Sequence, residues 1–114
     1  MLPPLEAVLR ASPKVKSFEV IDNDPIDAEN FLIKLRCDLT SGQTLQIRIR
    51  GMAGELRYSY QEFAGRPLRR WDNAPHFPHL TNFPHHYHGL EGNMTDSPLI
   101  GDPKTDLQQV LDAL

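Results

Sequence analysis

The sequence predicts an α+β domain: an antiparallel meander sheet of four to five strands, a short N-terminal helix, a long His/Pro-rich loop and a C-terminal helix. Three observations carry this prediction. Apolar and polar residues alternate strictly through the middle of the chain, turn residues interrupt the alternation at short intervals, and helical spacing occurs only at the two ends. At 114 residues the chain has the length of one domain, read as 1–14 for the first helix, 15–71 for the sheet, 72–103 for the loop and 104–114 for the last helix.

The elements follow in order. Residues 2–11 place Leu5, Val8 and Leu9 on one side of a helix that opens on two prolines. Val15 to Ile21 is apolar and rich in β-branched residues, a strand, and the polar segment after it holds a turn-forming Asp-Pro. Phe31, Ile33, Leu35, Cys37 and Leu39 alternate with polar or exposed partners, Thr40-Ser41-Gly42 turns the chain, and Leu45, Ile47 and Ile49 alternate in the same way. A third run sets Leu56, Tyr58 and Tyr60 against Arg57, Ser59 and Gln61, and Pro67 to Trp71 completes the meander. Residues 72–103 hold five of the ten prolines and all five histidines without a sustained period, which predicts a loop. In the last stretch Asp102 or Thr105 caps a helix presenting Leu107, Val110, Leu111 and Leu114.

Charge is unevenly spread. Residues 30–71 carry eight Lys and Arg against three carboxylates, whereas the rest carries four against twelve. Strand parity puts Lys34, Arg36, Arg48, Arg50 and Arg57 on the face opposite the apolar set, a basic sheet face. On its own such a face is ordinary solvated surface that keeps a sheet soluble. The lone Cys37 excludes a disulfide framework, a four-cysteine zinc site and a CxxC redox motif, and it sits on the apolar face as inert core. No apolar run reaches the roughly 20 residues of a membrane helix, and the N-terminus lacks a signal-peptide pattern, so a cytoplasmic protein without membrane contact is expected.

The loop carries the chemistry. His76, His79, His85, His86 and His88 fall within thirteen residues, beside Asp72 and the cations Arg69 and Arg70. With an ordinary pKa of about 6.5, one imidazole can accept a proton while another donates one near neutral pH. RNA cleavage by its own 2′-hydroxyl needs such a pair and a cation to steady the phosphorane. The same residues also suit a divalent metal, with His76, His79, His85 and His88 as ligands and Asp72 as a carboxylate ligand, although the spacing matches neither HExxH nor a finger pattern. Any one of these histidines can equally serve as a neutral spacer that hydrogen-bonds backbone. Tyr58, Tyr60 and Trp71 offer base-stacking surfaces if they face outward, and core packing if they follow the parity of Leu56.

The run RWDNAPHFPHLTNFPHHYH resembles the signature of the TumE family of toxins from prokaryotic toxin–antitoxin pairs. The likeness rests on the Tyr58-x-Tyr60 strand, on Arg70 through His76, and on Phe83 through His86 with His88; it covers roughly residues 15–90 and continues weakly into the last helix. Phe77 and Tyr87 stand where the family pattern has His and Lys, so those two positions carry no required chemistry here; if the family's activity depends on that lysine as a phosphate contact, this member is either weakened or uses Arg69 or Arg70 instead. The resemblance implies a toxin neutralised by a DNA-binding antitoxin.

Three functional expectations follow. The first is a metal-independent endoribonuclease without cofactor, in which His76 pairs with His85 or His86, His88 belongs to the same cluster, Asp72 orients a histidine, Arg48, Arg50, Arg57, Arg69 and Arg70 bind phosphate, and Tyr58, Tyr60 and Trp71 contact RNA bases. The second is a metal-dependent nuclease or hydrolase on the same histidines. The third is a non-enzymatic module that binds protein or nucleic acid, with the acidic ends available to a basic antitoxin segment.

Overall fold

The computed structural model describes residues 1–114 as nine elements. They are α1 (Leu2–Ala11), β1 (Val15–Pro25), β2 (Phe31–Leu39), β3 (Thr44–Met52), β4 (Glu55–Phe63), β5 (Pro67–Asp72), β6 (His86–His88), β7 (Met94–Asp96) and α2 (Pro103–Ala113). All seven strands form one antiparallel sheet in chain order. The α+β class and both terminal helices agree with the sequence reading. The strand number does not: seven strands replace the expected four to five, and β6 and β7 lie inside the segment read as loop. Each has three residues, too few to display a period of two, and each exists because β5 offers a free ladder edge on which β6 and then β7 can pair.

One face of the sheet is covered and the other is open. Ile33, Leu35, Cys37, Leu45, Ile47, Ile49, Tyr58, Tyr60 and Trp71 pack with Leu5, Val8 and Leu9 of α1 and Leu107, Val110 and Leu111 of α2 in a single core. Burial pushes the Cys37 thiol up to about 12, with the Asp38 carboxylate adding to it, so the group is inert at neutral pH. The β3–β4 turn places Ala53 and Gly54 at φ +52° and +82°, the two positive values of a hairpin turn whose twist matches that of the strands. Asp102 caps α2 through the Thr105 N–H, and the buried Asp106 carboxylate accepts from the N–H groups of Ile100 and Gly101 at 2.9 and 2.8 Å, fastening the preceding segment to the helix. The far end of α2 is held by Lys14, whose Nζ donates to the Leu111 carbonyl at 2.8 Å, and by Arg69, whose Nη1 donates to the Ala113 carbonyl at 2.9 Å. No helix is long and apolar enough to cross a membrane.

Candidate functional site

Strand alternation decides which side chains meet. Asp72 lies in a cross-strand row that runs Lys34, Arg48, Ser59, Asp72, His86 on the open face, and beside it runs Arg36, Gln46, Gln61, Arg70, His88. The interleaved residues Trp71 and Tyr87 pack against each other at 5.0 Å between ring centroids on the helix side. The sequence reading of a basic open face therefore extends, through the expected β5 and the unexpected β6, to a carboxylate and two histidines.

Asp72 is the hub of this end. Its Oδ1 accepts from the Ala74 N–H at 3.0 Å and lies 2.8 Å from His86 Nε2; its Oδ2 accepts from Arg70 Nε at 2.7 Å and lies 3.6 Å from His88 Nε2. Asp72 and His86 are buried, whereas the side chains of Arg70 and His88 are 42% and 34% exposed. The carbonyl of Pro84, 3.1 Å from His86 Nδ1, can only accept, so Nδ1 carries hydrogen and both nitrogens of that ring are engaged. Phe77 meets His86 edge-on at 4.8 Å and His88 at 6.2 Å, covering the pair from the loop side. Burial lowers the His88 pKa, the Asp72 carboxylate pulls it back up, and His86 and Arg70 press it down again. His88 is thus an accessible imidazole biased toward its neutral, proton-accepting form.

Next to this group is a depression of about 240 Å³ bounded by Arg48, Arg50, Arg57, Ser59 and Arg70, with Asp72 and Asn73 in its wall. Asn73 continues the β4 ladder with its side chain, accepting from the Tyr58 N–H at 2.9 Å and donating to the Leu56 carbonyl at 2.8 Å. Gln61 accepts from Arg70 Nη1 at 3.3 Å. Sequence reasoning passed over Ser59, Gln61 and Asn73; parity with Arg57 puts the first two on the basic face, and Asn73 directly follows Asp72.

Several expected site residues lie elsewhere. His85 is on the helix side, stacked on Tyr58 at 5.8 Å with its Nδ1 2.7 Å from the Tyr58 hydroxyl. Burial raises the pKa of that hydroxyl and lowers that of His85, which the Asp106 carboxylate partly restores, so the phenol donates to a neutral ring. Arg69 also turns away, in a bidentate pair with the buried Glu62 at 2.7 and 3.0 Å. Tyr58, Tyr60 and Trp71 are core residues with 4%, 0% and 4% exposure, so they have no face to offer a base; their other reading, core packing by parity, is the one burial supports. His76 and His79 are exposed and flank Phe77 at 6.2 and 6.4 Å.

The proposed ligand quartet of His76, His79, His85 and His88 does not converge. The group that does is Asp72, His86 and His88, whose donor atoms lie within 4.8 Å of one another. Two donors on one tetrahedral zinc stand about 3.3 Å apart, whereas His86 Nε2 and Asp72 Oδ1 are 2.8 Å apart, the separation of atoms joined by a proton. Arg70 already occupies Asp72 Oδ2, and the surrounding arginines repel a cation.

Fold and side chains together describe a two-helix, single-sheet protein with a basic open face and a carboxylate–imidazole cluster on β5 and β6. The chain belongs to the toxin TumE family, whose pattern it matches over residues 5–114, from α1 through the last residue of the sequence. It is accordingly the toxin of a toxin–antitoxin system, with an antitoxin as partner. No curated protein and no solved structure matches it.

Proposed function

We propose that this toxin is a metal-independent endoribonuclease whose site is the Asp72–His88 end of the open face. The observation that carries the reading is the juxtaposition of an accessible, proton-accepting imidazole with a phosphate-sized depression walled by four arginines. His88 takes the proton of the RNA 2′-hydroxyl, the 2′-oxygen bonds to phosphorus, and the bond from phosphorus to the 5′-oxygen breaks. His76, exposed on the loop that carries Phe77, returns a proton to the leaving oxygen. The products are a 2′,3′-cyclic phosphate and a 5′-hydroxyl. Arg48, Arg50, Arg57 and Arg70 stabilise the charge of the phosphorane. Asp72, itself held by His86, Arg70 and the Ala74 N–H, positions His88. Cytoplasmic action and neutralisation by a DNA-binding antitoxin belong to this reading.

The test is cleavage of a generic RNA in EDTA. Wild type generates cyclic-phosphate ends, His88→Gln loses at least a hundredfold in rate, in the usual range for a general base, and His86→Ala loses activity through Asp72. Cleavage that requires a divalent ion would place Asp72, His86 and His88 in a coordination shell instead, and undiminished cleavage by His88→Gln would remove its assigned role.

A further inference from the structure

Four cations of the open face stand in two like-charge pairs. Lys34 is directly opposite Arg48 across β2 and β3, and Arg50 is directly opposite Arg57 across β3 and β4. Side chains so placed have Cβ atoms roughly 5 Å apart, and like charges there destabilise a sheet. None of the four makes an ion pair with any carboxylate, so this repulsion stands uncompensated. At β1 the sign reverses: Asp22 is the partner of Lys34, and Glu19 is the partner of Arg36. The cationic stretch therefore spans three strands and ends at an acidic border.

We infer that each like-charge pair is a phosphate subsite and that the ligand is a single-stranded polynucleotide crossing from the Asp72–His88 end to β2. A phosphate between two opposed cations replaces their repulsion by two charge-assisted contacts. Arg48 and Arg50 are two residues apart on β3, so strand rise and strand spacing put the two subsites about 8 Å from each other, a separation that flexible Lys and Arg side chains adjust to successive phosphates of one chain. Arg50 and Arg57 also wall the depression beside Asp72, so their subsite holds the reacting phosphate, a step that rests on the proposed ribonuclease reading, and the ligand spans two phosphates in succession. Lys34 lies outside that depression and sets the length of chain that binds well.

The test is fluorescence anisotropy of the full-length protein in EDTA with labelled 2′-O-methyl oligouridylates of two, four and six nucleotides. The methyl group blocks attack, so binding is read whether or not the protein cleaves RNA. Wild-type affinity rises steeply from the dinucleotide to the tetranucleotide and little beyond. Lys34→Gln weakens binding of the tetranucleotide by about fivefold and lowers the salt slope by about 0.7, the increment of one phosphate contact on a single strand, while dinucleotide binding is unchanged. Arg36→Gln, whose register partners are Glu19 and Gln46, changes binding less than twofold. Equal losses in Lys34→Gln and Arg36→Gln would reduce the effect to overall charge and overturn the subsites, as would affinity independent of length.

Discussion

His85 and His86 are consecutive in the chain and serve opposite faces of the sheet. His86 joins Asp72 on the open face at 2.8 Å, while His85 accepts the Tyr58 hydroxyl at 2.7 Å against the helices. A strand directs successive side chains to opposite sides, so entry into β6 separates the two rings whatever their shared chemistry. His85→Ala therefore destabilises by about 1–3 kcal/mol, because a buried hydroxyl loses its acceptor, and the folded protein still cleaves RNA. His86→Ala takes a partner from the buried Asp72 carboxylate, so it costs stability and cleavage together in a paired denaturation and cleavage measurement; a cleavage defect in folded His85→Ala would return that ring to the site.

Arg69 and Arg70 divide in the same way. Arg69→Gln leaves the buried Glu62 carboxylate without its guanidinium and frees the end of α2, costing about 2–4 kcal/mol, with RNA affinity unchanged. Arg70→Gln, on a half-exposed side chain, costs about 1 kcal/mol or less and weakens RNA binding. Urea denaturation and anisotropy on both variants check this, and a binding loss in Arg69→Gln would contradict the assignment.

Acid sensitivity follows from two histidines whose pKa values burial lowers in the folded state. The unfolded chain takes up protons first as pH falls through about 6.5, so their contribution to stability is complete above that value and is lost as pH drops toward the lower folded values. Melting temperature from pH 8 to pH 5 should decline only on the acid side. Cleavage should fall over an acid limb centred below pH 6.5 as His88 protonates, and an acid limb centred above 7 would exclude His88 as the base.

The Tyr60 hydroxyl is fully buried and has no hydrogen-bond partner. Tyr60→Phe removes an unsatisfied polar group and keeps the ring in the core, so it raises stability by about 1 kcal/mol. A loss of that size in chemical denaturation would mean that the hydroxyl is satisfied in solution.

Ala53 adopts φ +52° in a turn that favours Asn-Gly. Ala53→Asn leaves Gly54 in place and stabilises the β3–β4 hairpin by about 0.5–1 kcal/mol. Its thermal midpoint should rise without a change in RNA affinity, and a lower midpoint would show the strain to be absent.

The α+β class, the two helices, strands β1 to β5 and the cationic parity of Arg48, Arg50 and Arg57 are legible in the sequence, because apolar and amphipathic runs of that length carry their own pattern. The run from Arg70 to His88 likewise pointed to the family without any coordinates. Which polar residues meet is set by strand pairing. His86, His88 and Asp72 converge because a three-residue strand pairs with β5, and so short a strand is specified by the edge it joins rather than by its own pattern. The same pairing sends Arg69, Trp71 and His85 to the helix side, where burial turns residues suited to binding and catalysis into core and anchoring contacts.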